Sequence, residues 1–348
     1  MRKHSMLVIL LALVGSLMLP LAGCGSSSKD LKKGDTAKPS QGESQKEFTV
    51  RLGDITGADT LVGFYLALEK GYFKEEGINI DKKLYINGPN LMMSMANGEL
   101  DMNIATGFTP MLQAAAQGAD IKILASMSKG NAPVIAGPHI KTFKDLDGKV
   151  VGTPGLGTIQ NTMLSLAAKE YGIQFKKVIH GKMTDLAVFL EKGEIDGFTG
   201  WEWLAADTVH KVKGAHYVLE QPVIKDAESV GMGVRGEFYK QHPDIVKKFM
   251  RAYLKGLKYF IEHRDEGIEL CAKRINRPKE VVEMSFKTSS TDNPLINTSD
   301  VKFQVQDAID TGKIKKEVVP NIDEFINKYI DQSVLREAAK EVGFKLGN

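Results

Sequence analysis

From Phe48 onward, short apolar runs alternate with amphipathic stretches long enough for helices, the pattern of an α/β fold with mostly parallel strands. Phe48-Thr49-Val50-Arg51-Leu52 reads as a first strand. The stretch 61–76 follows as a helix, with Val62, Tyr65, Leu66, Leu68 and Phe73 on one side and Gly77 at its stop. The spacing next predicts strands over 78–86, 101–105 and 121–125, separated by helices over 90–96 and 110–117.

The same alternation then restarts as a second α/β unit. A strand over 149–153 leads into a helix over 158–171 that Gly172 stops, followed by a strand at 178–179, a helix over 186–192, a strand over 197–199 and a helix near 204–212. After Val234 the strand pattern ends and helices dominate. Pro243 suits a helix start, and Val246, Phe249, Met250, Tyr253, Leu254, Leu257 and Phe260 follow at three- and four-residue spacing. Further helices are predicted over 278–284, 301–310 and 322–330. Such a tail has to pack back on something already built.

The N-terminus has a different character. Arg2, Lys3 and His4 precede an apolar run over 6–19 broken by Gly15 and Ser16, too short to span a membrane comfortably, which takes about 20 apolar residues. Residues 1–23 therefore read as a cleaved signal peptide. Leu21-Ala22-Gly23-Cys24 resembles the bacterial lipobox, which implies a lipidated Cys24 that anchors the mature chain to a membrane. Within 24–46, the residues after Cys24 hold no aromatic and one large aliphatic, Leu31, so this segment is expected to be a flexible tether reaching roughly 25 Å.

Composition narrows the function. The 348 residues suit two lobes, and 43% hydrophobic with 26% charged residues is the balance of a soluble globular body. Without Arg2 and Lys3 the net charge of +3 falls to +1, so no basic excess points to nucleic acid. The cysteines are Cys24 and Cys271, and the latter lies in a helix-like run as a small apolar residue. The seven histidines are scattered with no pair at i, i+4, so no metal site is expected. Gly155-Leu156-Gly157-Thr158-Ile159-Gln160 begins like a dinucleotide loop but has Gln160 where the third glycine belongs, and no cofactor is expected. No GxxxxGK[ST] or GxSxG occurs, so catalysis finds no foothold.

Leu66-Ala67-Leu68-Glu69-Lys70-Gly71-Tyr72-Phe73-Lys74-Glu75-Glu76-Gly77-Ile78 resembles a segment of the extracytoplasmic solute-binding proteins of the nitrate, sulfonate and taurine importers. Three more segments agree in order: Asn97-Gly98-Glu99-Leu100-Asp101, Phe143-Lys144-Asp145-Leu146-Asp147-Gly148-Lys149-Val150-Val151-Gly152 and Lys192-Gly193-Glu194-Ile195-Asp196-Gly197. The resemblance implies a periplasmic-binding-protein type II fold: two doubly wound α/β lobes, a ligand cleft between them and two crossovers. The helical tail then completes the first lobe, giving lobe I over 47–137 and 231–348 and lobe II over 138–230. It also implies a monomeric, non-enzymatic capture protein outside the cell that serves ABC permease and ATPase subunits.

Ligand in such a fold is expected at loops beyond the carboxyl ends of parallel strands, where helix N-termini present unpaired N–H groups. These are Asp54-Ile55-Thr56-Gly57, Thr106-Gly107-Phe108-Thr109, Pro154-Gly155-Leu156-Gly157-Thr158 and Gly200-Trp201-Glu202-Trp203. The candidate ligand residues are Asp54, Thr56, Thr106, Phe108, Gly157, Thr158, Trp201 and Glu202. Thr158 is a plain N-cap, a ligand contact, or both. Trp201 is the favoured stacking wall, with core packing the alternative for one of the two tryptophans and for Phe108. Asp54 and Glu202 are ligand groups or solvated loop charges.

Lys129 is the nearest basic residue to these loops, so an anion would rest on helix N-termini. Two aromatics around an acid lean instead toward a flat, nitrogen-bearing ligand such as a pyrimidine thiamine precursor, for which relatives of this family are known. Two other functions fit the same fold: an enzyme similar to certain fungal pyrimidine synthases, whose cysteine-rich motif is missing here, and a surface protein that senses ligand for a receptor.

Overall fold

The computed structural model describes residues 47–58, 61–221 and 227–347. The expected signal peptide, Cys24 and the tether lie outside the described residues. The chain opens with β1 (Phe48–Ile55), α1 (Val62–Glu69), α2 (Tyr72–Glu75), β2 (Ile78–Tyr85), α3 (Gly88–Ala96), β3 (Met102–Gly107), α4 (Phe108–Ala116) and β4 (Ile121–Gly130). The middle stretch holds β5 (Val134–Ala136), β6 (Val150–Thr153), α5 (Ile159–Tyr171), β7 (Lys177–His180), α6 (Met183–Glu191), β8 (Gly197–Thr199), α7 (Leu204–Lys211) and β9 (His216–Leu219). The remainder is β10 (Glu228–Arg235), α8 (Gly236–Gln241), α9 (Pro243–Glu262), α10 (Arg264–Ile275), α11 (Lys279–Thr288), β11 (Ser289–Ser290), α12 (Thr298–Asp310), α13 (Ile322–Tyr329) and α14 (Ser333–Val342).

Two sheets result, one for each α/β unit that the sequence repeats. The first has the order β11-β4-β10-β3-β1-β2, with β1 parallel to β2 and β3 and with β10 inserted antiparallel between β3 and β4. The second has the order β7-β6-β8-β5-β9, with β6 parallel to its neighbours β7 and β8 and β5 antiparallel to β8 and β9. The chain leaves the first sheet after Gly130 and returns to it at Glu228. Both changes fall a few residues before the 137/138 and 230/231 boundaries read from the sequence, because β5 already belongs to the second sheet and β10 starts at the crossover.

The tail packs on the first sheet, as its amphipathic spacing requires. In α9, Pro243 opens the helix and Val246, Phe249, Met250, Tyr253, Leu254, Leu257 and Phe260 are buried in the main core. Helix α1 crosses α9 where Gly63 meets Gly256. A Cβ on Gly256 would lie 2.7 Å from the Ala67 nitrogen, and one on Gly63 would lie 3.0 Å from the Leu257 Cβ. The helix expected over 61–76 is two helices, because Gly71 adopts φ +77 and ends the first.

A buried polar cluster ties the start of β10 to the rest of lobe I. Glu228 faces Lys129 across the β4–β10 register, and its oxygens accept from Lys129 Nζ at 2.7 Å, Ser126 Oγ at 2.6 Å and the Asn297 N–H at 2.7 Å. Its own N–H donates to Asp300 on α12, and Gln304 Nε2 bonds both Asp300 and the Glu228 carbonyl. Burial pushes the Asp300 carboxyl above its ordinary pKa.

Candidate functional site

Four strands end on one cleft, two from each sheet. The loop after β1 contributes Ile55, Ala58 and Leu61, and the end of β3 contributes Ala105 and Gly107. From the second sheet, Thr158, Ile159 and Gln160 open α5 after β6, and Trp201 and Glu202 follow β8. Asn131 and Val230, one beside each crossover, also line the cleft. These groups surround a cavity of about 40 Å³, room for roughly three waters.

The lobes touch around this cavity. Thr288 Oγ1 at the end of α11 donates to Glu202 at 2.5 Å, and Lys313 Nζ reaches Thr162 Oγ1 on α5 at 3.2 Å. Arg277 and Asp207 meet at 2.6 Å, and an added Cβ on Gly107 would lie 3.1 Å from Ile159.

Glu202 is the electrostatic centre of the site. Its carboxyl is 1% exposed and accepts from Thr288, from Tyr217 Oη on β9 at 3.0 Å and from the Ala206 N–H on α7 at 3.0 Å. Burial pushes its pKa up to about 7, against the pull of those hydrogen bonds. Tyr217 is pushed up in turn by burial and by the Glu202 charge. The Glu202 N–H donates to Asn131 Oδ1 at 2.7 Å, and the peptide between Glu202 and Trp203 is cis.

The raised pKa sets a sign for stability. The carboxyl of an unfolded chain titrates near 4.5, so between that pH and about 7 the folded chain holds the proton and the unfolded chain has lost it. Stability from this group is therefore greatest at low pH, falls as pH rises through that window and levels off above it, by on the order of 3 kcal/mol. Denaturation between pH 5 and pH 8 is expected to show this fall in the native sequence and to lose it in Glu202→Gln. Equal slopes in both proteins would contradict a proton on Glu202.

The eight residues singled out by sequence are placed unevenly. Thr158, Trp201 and Glu202 line the cavity. Thr158 also caps α5, accepting from the Asn161 N–H at 3.3 Å while its hydroxyl donates to the Gly155 carbonyl at 2.7 Å. Gly157 lies at the contact between lobes, where an added Cβ would be 3.2 Å from Gln113 Oε1. Thr106 is fully buried between the lining residues Ala105 and Gly107. Asp54 is turned inward: it accepts from Tyr65 Oη at 2.5 Å, Lys82 Nζ at 3.1 Å and the Ile55 N–H at 2.8 Å. Thr56 is exposed, and Phe108 is fully buried in the lobe I core. Trp203 is buried in the same core, with Arg277 over its ring.

Asn131 and Gln160 were not singled out. Asn131 holds φ +59, a left-handed conformation that Asn tolerates better than most residues. Its carbonyl accepts from Gln160 Nε2 at 3.2 Å, and its N–H donates to the Thr288 carbonyl at 2.9 Å, so it joins both lobes at the first crossover. An Asn after a glycine at the end of a strand is the signal available in sequence. Among the described residues, Thr106 Oγ1, Ser128 Oγ, Thr199 Oγ1, Ser229 Oγ and the Trp201 indole N–H are buried with no protein hydrogen-bond partner, and of these Trp201 lines the cavity. Among the described residues no three His, Cys, Asp or Glu side chains gather to hold a metal.

Comparison with known proteins agrees with this architecture. The chain is 26% identical over 343 residues to the "Putative aliphatic sulfonates-binding protein" of Bacillus subtilis (strain 168), covering 95% of this chain and 97% of that one. It is 25% identical over 281 residues to the taurine-binding periplasmic protein of Escherichia coli (strain K12), covering 74% and 84%. Among solved structures, the periplasmic aliphatic sulphonate binding protein SsuA from Escherichia coli superposes with a TM-score of 0.67 at 17% identity, covering 81% of this chain and 98% of that one. The periplasmic nitrate-binding protein NrtA from Synechocystis PCC 6803 gives 0.70 at 17% identity, covering 86% and 90%. The fold is thus that of the periplasmic binding proteins. The family model described as NMT1/THI5 like matches residues 59–267, from the loop after β1 through both crossovers into α10, and the chain belongs to that family.

Proposed function

We propose that this chain is the solute-capturing subunit of an ATP-driven importer, holding a small polar solute in the cleft and passing it to a membrane permease served by ATPase subunits. The observation that carries the proposal is the cavity walled by strand-end loops of both sheets and by a residue beside each crossover. A site of that kind opens and closes as two bodies turn about the crossovers. The bodies are the lobe built on the first sheet with the tail helices and the lobe built on the second sheet. Attachment through a lipid on Cys24, an extracytoplasmic place, action as a monomer and capture without covalent change belong to the same proposal. The names of the relatives point to sulfonates as cargo, and the ring of Trp201 beside Glu202 admits pyrimidine-like compounds.

A thermal-shift screen of sulfonates, nitrate, pyrimidines and small amines tests it. One or a few compounds are expected to raise the melting temperature, since a ligand at a hundred times its Kd stabilises the native state by about 2.7 kcal/mol. A broad screen in which nothing shifts the transition contradicts capture. For a compound that binds, titration calorimetry of Trp201→Ala is expected to give at least tenfold weaker binding, and unchanged affinity would remove Trp201 from the site.

A further inference from the structure

We infer that Arg277 and Asp207 form a latch that sets the resting angle between the two lobes, acting outside the cavity and independently of anything bound there. The inference takes from the reading above only that the lobes turn about the crossovers. Arg277 stands in the link between α10 and α11 of the first lobe, and Asp207 stands on α7 of the second. Arg277 Nε and Asp207 Oδ1 meet at 2.6 Å; both atoms are buried, and neither has a hydrogen-bond partner among the described residues. At these atoms each charge is therefore balanced by the other, across the boundary between lobes. Neither residue lines the cavity.

The surroundings distinguish this contact from an ordinary surface pair. Helix α11 is tied to both crossovers at its far end: the Asn131 N–H donates to the Thr288 carbonyl at 2.9 Å, and Gln221 Nε2 donates to the Lys287 carbonyl at 2.8 Å. The 10 residues of that helix put Arg277 about 15 Å from those ties. A turn of about 10° at the crossovers moves a group at that distance by about 2–3 Å, enough to part the two charges. The backbone at Arg277 is fixed from both sides, by Asn276 at φ +52 and by Pro278. Its guanidinium lies over the Trp203 ring, and Trp203 and Ala206 beside Asp207 are buried in the lobe I core, so the pair borders an apolar contact where charges attract more strongly than in water. When the lobes part, Asp207 keeps Lys211 along α7 at 2.8 Å and Arg277 keeps the Asn276 carbonyl at 2.9 Å, which makes the contact reversible.

Small-angle scattering of the dialysed protein, with no solute added, tests this. Against the roughly 20 Å radius of gyration of a compact chain of this length, Arg277→Met and Asp207→Asn are each expected to raise the value of the native sequence by about 1 Å, with far-ultraviolet circular dichroism unchanged. Lys211→Met leaves the pair between lobes in place and is expected to scatter like the native sequence. Should Arg277→Met fail to fold, Asp207→Asn decides alone, since it keeps the side-chain shape and removes the charge. Native scattering from Asp207→Asn overturns the inference. Equal expansion in Lys211→Met also overturns it, because the charge of α7 rather than the contact with Arg277 would then be the cause. No solute enters these measurements, so failure here leaves capture standing, and a solute screen in which nothing binds leaves the latch to be judged by scattering alone.

Discussion

Gly256→Val is expected to destabilise the protein by about 3 kcal/mol or more, because the new side chain would meet backbone. At this crossing α1 and α9 approach so closely that even a Cβ would lie 2.7 Å from the Ala67 nitrogen and 2.8 Å from its Cβ. A side-chain neighbour can rotate away, whereas a helix backbone moves only by shifting its whole packing. That packing includes Phe64 against Phe249 and Phe73, so the shift would spread through the lobe I core. Urea unfolding followed by circular dichroism reads the loss, with Lys258→Val on the partly exposed face of α9 as a comparison expected to change stability by less than about 0.5 kcal/mol. Equal effects at both positions would show that the helices adjust freely.

The second large effect is expected at the crossover. Glu228→Ala should cost about 3–5 kcal/mol, since it strands a buried charge. Lys129 has 13% of its side chain exposed, and with Glu228 gone the hydrogen bond it keeps among the described residues is to the Leu295 carbonyl, while Ser126 and the Asn297 N–H lose their acceptor. The double variant Glu228→Gln with Lys129→Met removes both charges together and is expected to recover part of the loss. A single-variant loss below about 1 kcal/mol in the same unfolding experiment would mean that water reaches the pair.

Much of this fold is legible in the alternation of apolar runs, and strand β10 shows one reason why the rest is not. Strands β1, β2, β6 and β8 have apolar residues at spacings that packing demands, and sequence finds them. Strand β10, Glu-Ser-Val-Gly-Met-Gly-Val-Arg, is not among the strands predicted from sequence, because its burial depends on distant neighbours. Gly231 leaves room for Met111 and Phe108, and Glu228 is neutralised by Lys129 and held by Ser126, contacts about a hundred residues away in sequence. A local window sees glycines and an acid, and none of their partners.

The site divides in the same way. All four strand-end loops reach the cleft or the contact between lobes, because a parallel strand followed by a helix fixes where its carboxyl end opens. Within the loops, side-chain direction depends on the tertiary surroundings. Asp54 belongs to β1 itself and turns toward Tyr65 and Lys82, and Phe108 drops into the core as the first residue of α4. Asn131 earns its place by bridging the lobes, a role with no local pattern.

The insertion of β10 between β3 and β4 orders the assembly of the chain as it becomes available from the N-terminus. When only the first 221 residues exist, β3 and β4 have no strand between them to complete their hydrogen bonds, while the second sheet already has all five of its strands. The middle lobe can therefore finish early and the outer lobe last, leaving two unsatisfied strand edges waiting for one late segment. A chain cut short before Glu228 is accordingly a candidate for self-association through those edges, and a helper that shields them would act during that interval.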